Sequence, residues 1–564
     1  MHQPPTQARS SLYYRYQVYR PWLPAEHAAA QPRQQVVIVG AGPAGLVTAL
    51  ELARHGVPSV VLNQDLQVSP GSRAIVFTRR SMEILQQVGV AARIVESALP
   101  WRFGNSFYRG QLVFRMEAPH DDDERFFPMN NIQQQYLEEY LLDACAAQPL
   151  IELRWGNKLV QVTQAADHAQ LLIDTPAGEY ELRTDWLVAA DGGRSGIRAA
   201  LDLKLEGASY EGLFVIADIR IDLPYPTERR AYFDPDWNPG NTILMHRQPH
   251  GIWRVDYQLP VGETPEQALQ AESMKQRINA QLAMIGHAGT PWEMDWCSVY
   301  SARALTLPQY VHGRTLFVGD AAHLLPIFGV RGANTAFQDA QSLGWHLAFV
   351  IKGLASEKLL ANYSAERVGA AREIIEEAGK STRFMAPPSR GFRLLRDAVL
   401  SLSLTQEFVR PLYHWRTARP HEYAGSALNA ADDDNAAFSA GPGHGAPPVN
   451  VRLAEDDFLL DHLGGGFDLL CFSTGAALPA DVRQVIADAR AHGVPVKVTA
   501  VGSAQAVAGA DECLPDAAGT CHRRYGVPDS GAAYLLRPDQ HVCARWLQLD
   551  APRLKAAFQH ALPN

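Results

Sequence analysis

Three glycines at fixed spacing carry the clearest chemical signal in this sequence. The segment VVIVGAGPAG sets Gly40, Gly42 and Gly45 in G-x-G-x-x-G order, with Ala44 in the last variable position. The first glycine permits a tight turn, the second lets a pyrophosphate approach the backbone, and the third lets helix and strand pack closely. An apolar run reading as a strand, 35–39, precedes the motif, and a helical pattern, 43–55, follows it. A helix N-terminus at that point offers free N–H groups and a partial positive charge to phosphates. The context makes dinucleotide binding the reading. The fingerprint calls for an acid roughly 20 positions on, to hold ribose hydroxyls. Here Asn63 stands 18 positions beyond Gly45, at the end of a second strand, 58–62. Its amide can still bond a hydroxyl but brings no charge, which predicts weaker adenosine binding.

Two further strand ends carry carboxylates. LVAADGGRSGIR (187–198) ends a strand in Asp191-Gly192, and LFVGDAAH (316–323) ends one in Gly319-Asp320. After the second comes a Gly/Pro-rich turn and a helix that begins near Gly332. A carboxylate at a strand end accepts from ribityl or ribose hydroxyls. A helix N-terminus aimed at a ring stabilises negative charge developing there. No nucleophile triad is visible.

The elements that must position these groups fit a chain of 564 residues, at roughly 150 residues per domain three to four domains. Net charge is −9, which argues against a nucleic-acid-binding surface. No apolar run reaches the ~18–20 residues that span a bilayer, and the first residues show no apolar core of signal-peptide type. The expected place is the cytoplasm, away from membrane. The six cysteines form no CxxC pair and no zinc spacing, so they read as reduced thiols with no metal site. Residues 1–34 read as an arm, either disordered or docked by its aromatics. A first part of the nucleotide domain spans 35–205. Short β-like runs fill 206–300, and its second part with a helical segment spans 301–424. An Asp/Ala/Gly/Pro-rich linker covers 425–449, and a small α/β domain covers 450–564.

With these residues in view, the chain resembles the FAD-dependent aromatic hydroxylases, the single-component flavoprotein monooxygenases. The matching segments are GAGPAG (40–45), SRA (72–74) with SMEIL (81–85), Gln134 with LE (137–138), DGGRSGIR (191–198), WRVDYQL (253–259), GDAAH (319–323), G-x-x-G-x-N (329–334), QDA (338–340) and YSAER (363–367). The run YLLRPDQHVCARW (534–546) is similar to the end of the thioredoxin-like domain in phenol hydroxylase and 3-(3-hydroxyphenyl)propionate hydroxylase relatives. The resemblance implies an α/β protein. A Rossmann-type FAD-binding domain carries an inserted antiparallel β-sheet substrate domain, then a helical segment and a C-terminal thioredoxin-like domain without CxxC. It implies FAD as cofactor, NAD(P)H as co-substrate, O2 and a small phenolic substrate as reactants, a flavin C4a-hydroperoxide as oxygen donor, and a homodimer.

Residue by residue, the resemblance puts Gly40, Gly42, Ala44 and Gly45 at the pyrophosphate, with Arg73 reaching it. Asn63 replaces the usual Glu at the adenosine ribose. Gln134 lies along the ribityl side. Asp191 and Gly192 belong to a segment serving both FAD and NAD(P)H. Gly319 and Asp320 lie at the ribityl chain, and the backbone of Gly332, Ala333 and Asn334 faces the pyrimidine edge. Two positions depart from the pattern: Ile327 stands where many members have Pro, close to the chemistry, and His346 follows Trp345 where Lys is common. The strands expected to face the flavin offer Tyr232, His246, Arg247, Trp253, Arg254 and Tyr257. A His or Tyr bonded to a phenol hydroxyl could act as general base, with His246 the first choice. Arg247 could pair a substrate carboxylate, Arg331 sits in the flavin loop, and His323 reads as structural. Three other outcomes stay open: Baeyer–Villiger insertion, epoxidation or decarboxylative hydroxylation at the same site, a flavin dehydrogenase, and a non-catalytic binding module.

Overall fold

The protein, seen in a computed structural model, is described over residues 1–26, 33–326, 328–413, 420–472, 477–503 and 506–563. The apolar run before the glycines forms the strand Arg33–Val39, buried from Val36 onward. It lies at the centre of a sheet, parallel to Ser59–Asn63 on one side and to Gly178–Ala189 on the other. Ile151–Trp155 continues the parallel sheet beyond Ser59–Asn63, and Thr315–Phe317 continues it beyond Gly178–Ala189. Such strands are apolar on both faces because helices cover both sides. Helix Pro43–Arg54 crosses helix Gly332–Ile351 at Gly344, where a Cβ would meet Glu51 Cβ at 2.5 Å. This contact joins the glycine motif directly to the helix that follows the flavin loop.

A second, eight-stranded sheet stands beside the first. Its order is His323–Leu324, Glu293–Thr306, Glu206–Arg220, Ile252–Gln258, Thr242–Arg247, Arg229–Phe233, Phe103–Tyr108 and Gln111–Glu117. The sequence placed this sheet within 206–300. The structure draws two of its strands from before residue 206, and Phe103–Tyr108 runs parallel to Arg229–Phe233. Only tertiary pairing reveals that membership. One face packs on helix Ala271–Met284 through Ile243, Met245, Val255, Tyr257, Ile278 and Leu282. The other face turns toward the flavin loop.

The last domain has a five-stranded mixed sheet in the order Glu512–Leu514, Val496–Val501, Phe467–Phe472, Ala532–Leu536, Val542–Trp546. The first three strands are parallel and the last two antiparallel, with helices Ala480–Ala491 and Ala551–Ala561 packed through one core. This is the thioredoxin-like arrangement. Two segments are more ordered than their composition suggests. The linker is docked, since Ala430 N–H donates to Cys543 O at 2.7 Å and Arg545 N–H donates to Asp433 at 2.9 Å. The N-terminal residues are docked by their aromatics: Tyr14, Tyr16 and Trp22 are buried, and Tyr19 stacks on Trp155 with centroids 4.2 Å apart. The hydroxyl of Tyr16 accepts from Gly71 N–H at 3.1 Å, so the arm braces the loop ahead of Ser72. Among the described residues no helix is long and apolar enough to cross a membrane.

Candidate active site

The three motifs meet in one place, Gly40 against Ala190 and Gly319 against Ala44. Gly40 has φ +111°, a conformation open to glycine, and a Cβ there would overlap the Ala190 carbonyl one residue before Asp191. A Cβ on Gly45 would collide with the backbone of Gly40. A Cβ on Gly319, at φ +59°, would lie 2.9 Å from the methyl of Ala44. These glycines are fixed by close packing of the protein against itself. Gly42 differs: its backbone is extended, and an added Cβ meets nothing within 4 Å. It caps helix Pro43–Arg54 with no side-chain hydrogen bond, so the cap side chain leaves the first N–H groups of that helix unfilled. That cradle fits a diphosphate.

The carboxylates fit the same ligand. Asp320 is exposed to water, yet protein surrounds it closely enough that burial pushes its carboxyl above the ordinary value, against the charges of His323 and Arg73. Access combined with crowding describes the floor of a cleft. Asp191 accepts from Ile197 N–H at 3.1 Å through Oδ2, while its buried Oδ1 has no partner. Burial raises its pKa also. An acceptor left unfilled in a polar recess suits a hydroxyl-bearing ligand. Arg198 ties the two motifs, donating to Gly193 O at 2.7 Å and to Ala321 O at 2.9 Å. Gly192, at φ +78°, has open space where a Cβ would be. Gly332 and Ala333 are part-exposed at the start of their helix, where N–H groups have no intrahelical partner.

Other candidates are occupied by the protein itself. The Asn63 amide oxygen accepts from Ala41 N–H at 3.4 Å, and its NH2 donates to Asp65 O at 3.2 Å, so the amide braces the glycine turn. Gln134 accepts from Ala74 N–H at 3.0 Å and donates to Glu138 at 2.7 Å. It shapes the Ser72–Ala74 loop that presents the exposed Arg73. The Asn334 side chain accepts from Thr78 N–H at 2.9 Å and Ser81 Oγ at 2.6 Å, and donates to Val76 O and Val330 O. It pins the flavin loop, and only its backbone is left for a ligand. Val330 in that loop has φ +57°, a strained conformation for a β-branched residue. Arg331 is buried at the head of the helix. Ile327 lies outside the described residues.

Asp339, from the QDA segment, was not singled out by sequence, yet it holds the third motif. Its carboxylate accepts from Gly319 N–H at 3.0 Å, His323 Nε2 at 2.6 Å and Arg367 Nε at 2.7 Å, all fully buried. Burial acts to raise its pKa, but the charges of Arg367 and His323 and their hydrogen bonds prevail and hold it below the usual value. His323 is therefore structural. Arg367 donates onward to Tyr423 Oη at 2.6 Å, and Tyr423 lies under Arg537, 5.3 Å from its ring centroid. Arg537 in turn pairs with Glu366 at 2.6 Å and Asp539 at 2.7 Å. A buried polar chain thus runs from the C-terminal domain to the Gly319-Asp320 turn.

The second sheet sorts the substrate candidates by face. Register puts Arg229, His246, Arg254 and Asp218 in one row, and Ala231, Leu244, Asp256 and Ile216 in the next. Phe214 pairs with Tyr300 and stacks on it at 5.6 Å, and Phe328 of the flavin loop meets Phe214 edge-on at 5.3 Å. This is the face toward the flavin loop. Side chains alternate along a strand, so Arg247, Trp253 and Tyr257 point the other way. Tyr257 packs under helix Ala271–Met284, and Arg247 donates to Tyr225 O at 2.8 Å. Both lie on the face away from the flavin loop, and Tyr232 shares it, stacked on Phe107 at 4.8 Å. Arg254 is on the near face but is spent on Asp218, through two bonds of 2.8 Å, and on the carbonyls of Ser72 and Arg73.

His246 is on the face toward the flavin loop. It is buried, its Nδ1 has no partner, and burial with the charges of Arg229 and Arg254 pushes its pKa down to about 3. Asp256, Tyr300 and Phe214 share this face and Phe328 packs against it, and none of them was singled out from the sequence. A period of two along WRVDYQL would have separated Asp256 from Tyr257. Asp256 Oδ1 and Tyr300 Oη are buried without partners. Burial pushes Asp256 up to about 7, against the charge of Arg254 and with that of Asp218.

Known proteins resemble this chain over much of its length. The profile of the family described as FAD binding domain matches residues 33–378. The 3-(3-hydroxy-phenyl)propionate/3-hydroxycinnamic acid hydroxylase of Mycolicibacterium smegmatis is 28% identical over 442 residues, 78% of this chain and 77% of that protein. The enzyme of the same name from Mycobacterium avium is 26% identical over 93% of this chain and 92% of its own. The crystal structure of the flavin-dependent monooxygenase PieE, in complex with FAD and substrate, superposes with a TM-score of 0.78 at 25% identity, covering 94% of this chain and 98% of that one. Aklavinone-11 hydroxylase, with FAD and aklavinone, shares the fold at a TM-score of 0.76 and 24% identity, over 94% of this chain and 99% of that one. With a cleft that fits FAD and a family match across most of its length, the chain belongs to the FAD binding domain family and is a flavin-dependent monooxygenase of the aromatic-hydroxylase class.

Proposed function

We propose that this enzyme hydroxylates the ring of a phenol at the expense of NAD(P)H and O2, with Asp256 as the group that receives the phenol proton. The supporting observation is a set of buried polar atoms on the sheet face toward the flavin loop. Phe214, Phe328 and Leu244 pack together there, and His246 Nδ1, Asp256 Oδ1 and Tyr300 Oη of the same face are buried without hydrogen-bond partners. Aromatic side chains with a few unfilled polar atoms suit a flat ring bearing a hydroxyl. Bound FAD would supply the redox chemistry, carrying electrons from NAD(P)H to O2, which provides the oxygen atom. The protein has to position the ring and enrich it in electrons.

Asp256 suits the second task. A carboxyl titrating near neutrality both takes and returns a proton at working pH. Accepting the phenol proton at Oδ1 leaves phenolate character on the ring and favours attack by an electrophilic oxygen. His246, held neutral, is a weak base and serves as a hydrogen-bonding partner. Gly42 and the helix behind it hold the FAD diphosphate, Asp320 and Asp191 its hydroxyls, and Gly332 and Ala333 the flavin edge. Arg229, buried in the row of His246, offers a cation to a substrate carboxylate. The relatives named for 3-(3-hydroxyphenyl)propionate suggest phenols with a carboxylate arm as the first compounds to try.

The test is NAD(P)H oxidation by the FAD-loaded enzyme against phenols with and without such an arm, with peroxide release and product mass measured together. Stimulation by one compound, with a product heavier by one oxygen and little peroxide, is expected. Product formed at full rate by Asp256→Asn would refute the proton-accepting role. Turnover without O2 would refute oxygen insertion.

A further inference from the structure

Residues 1–26 lie outside the matched family profile, which begins at residue 33, yet they are threaded along the loop that carries Arg73. That loop, residues 64–75, has no helix or strand of its own, so its backbone groups need partners from elsewhere. The arm supplies them along its length. His2 Nε2 donates to Gln64 O at 2.7 Å, beside Asn63. Tyr19 N–H donates to Leu66 O at 2.8 Å. Arg9 N–H donates to the Gln67 side chain at 2.9 Å, and the Arg9 guanidinium donates to Val68 O. Tyr16 Oη donates to Ser69 O at 3.3 Å and accepts from Gly71 N–H at 3.1 Å. On its other side Gly71, at φ +68°, abuts the second sheet, where an added Cβ would overlap the ring of Trp296. The arm is fastened to the same sheet: Ser11 Oγ donates to Asp295 at 2.8 Å, and Leu12 O accepts from Arg220.

We infer that the arm is a strap for the cofactor, in which Tyr16 and Arg9 are positioning residues that hold Arg73 at the FAD diphosphate. Beyond Gly71 the chain is fixed on both sides. Ser72 Oγ accepts from Gln134 N–H at 2.9 Å, and the carbonyls of Ser72 and Arg73 accept from Arg254. Ser72 and Ile75 are buried, while Arg73 between them is exposed. Its charge acts on Asp320, so the guanidinium stands on the side of the Gly319-Asp320 turn, which packs against Ala44 of the glycine motif. A guanidinium whose backbone is already fixed gives up less freedom when it pairs with phosphate oxygens. Asn63 brings no charge to the ribose end, and the strap offsets that loss by preorganising a cation at the diphosphate. The inference rests on FAD lying at Gly42, and it does not depend on which substrate is oxygenated.

FAD titration of full-length apoprotein by fluorescence quenching tests this. Tyr16→Phe keeps the buried ring but leaves Gly71 N–H without its acceptor, and should raise the FAD Kd about tenfold. Arg73→Ala should raise it at least as much. The double variant should bind FAD no more weakly than Arg73→Ala alone, because a strap that acts through Arg73 then has nothing left to position. Simple bracing of the fold would instead give losses that multiply. Arg9→Met is the second variant, touching the loop at Val68 rather than Gly71, and the same pattern is expected of it. Thermal unfolding of each apoprotein confirms that the titrations are made on folded chains. An FAD Kd unmoved by Tyr16→Phe and by Arg9→Met would overturn the inference. So would losses that multiply with Arg73→Ala, or an Arg73→Ala protein that binds FAD as wild type does. Loss of FAD by Gly42→Val in the same titration keeps such a failure confined to the strap, whereas FAD retained by Gly42→Val would refute the placing of the diphosphate and the strap with it.

Discussion

Asp339→Asn should be far more damaging than its distance from the flavin-loop face of the second sheet suggests. The carboxylate is fully buried and accepts from three donors: Gly319 N–H at 3.0 Å, His323 Nε2 at 2.6 Å and Arg367 Nε at 2.7 Å. An amide of the same shape removes the charge but leaves the Arg367 guanidinium in a site closed to water. Breaking a buried pair in this way costs about 3–5 kcal/mol, a large part of the 5–15 kcal/mol that holds a typical domain. The Gly319-Asp320 turn also loses its anchor, so FAD affinity should fall with stability. Two assays separate these effects: urea unfolding of the apoprotein and FAD titration by fluorescence quenching at a temperature where the variant is folded. The pair variant Asp339→Leu with Arg367→Met should recover much of the stability, because exchanging a whole buried pair for apolar groups is often neutral. It should not recover FAD affinity, since Gly319 N–H still lacks its acceptor. A loss below about 1 kcal/mol for Asp339→Asn would show that the pair behaves as a surface ion pair and would sink the reasoning.

The remaining expectations follow from single residues. Gly42→Val should fold normally, because a Cβ there meets nothing within 4 Å, yet it should lose FAD, measured as the flavin-to-protein absorbance ratio of the purified variant. Asp256 has a folded pKa raised to about 7, so the folded state keeps its proton while the unfolded chain, near 3.9, has lost it. It therefore costs stability progressively as pH rises from about 4 to 7, and Asp256→Asn should be more stable than wild type at pH 8 but not at pH 4 by thermal unfolding. His246 has a folded pKa lowered to about 3, so the unfolded chain takes up a proton first as pH falls below about 6.5. His246→Phe should flatten the loss of stability between pH 6.5 and 4.5, and the rate profile should show no His246 titration near neutrality. Tyr257→Phe, on the far face, should leave KM and product yield unchanged, and a tenfold rise in KM would place the ring on the flavin-loop face after all.

Local sequence was sufficient wherever one element carries its own reason. The glycine spacing of 40–45 needs only a strand before and a helix after, and both are written in hydrophobic periodicity. Asp191 and Asp320 were legible because each closes an apolar strand and opens a glycine turn. The flavin-loop face of the second sheet was not legible in the same way. Asp256 and Tyr257 are neighbours in sequence, and which one faces the flavin loop is fixed by register against Glu206–Arg220 and Thr242–Arg247, strands far away along the chain. A slip of one residue would exchange every side chain between the two faces. Phe103–Tyr108 joined the same sheet through a parallel pairing across more than a hundred residues. Asn334 shows a third case. Its motif put it in the expected flavin loop, but its side chain is used up by Thr78, Ser81, Val76 and Val330. Asp339 likewise drew attention only once Gly319, His323 and Arg367 were seen around it.

The sequence by itself determined the nucleotide fingerprint, the carboxylates at strand ends and the fold class, because turns, caps and periodicity act over a few residues. Tertiary structure decided which polar groups are buried together, and so which carboxyl titrates near neutrality and which imidazole stays neutral. Those properties depend on desolvation and on charges brought close from other strands, and neither exists until the sheets have paired and the helices have closed over them.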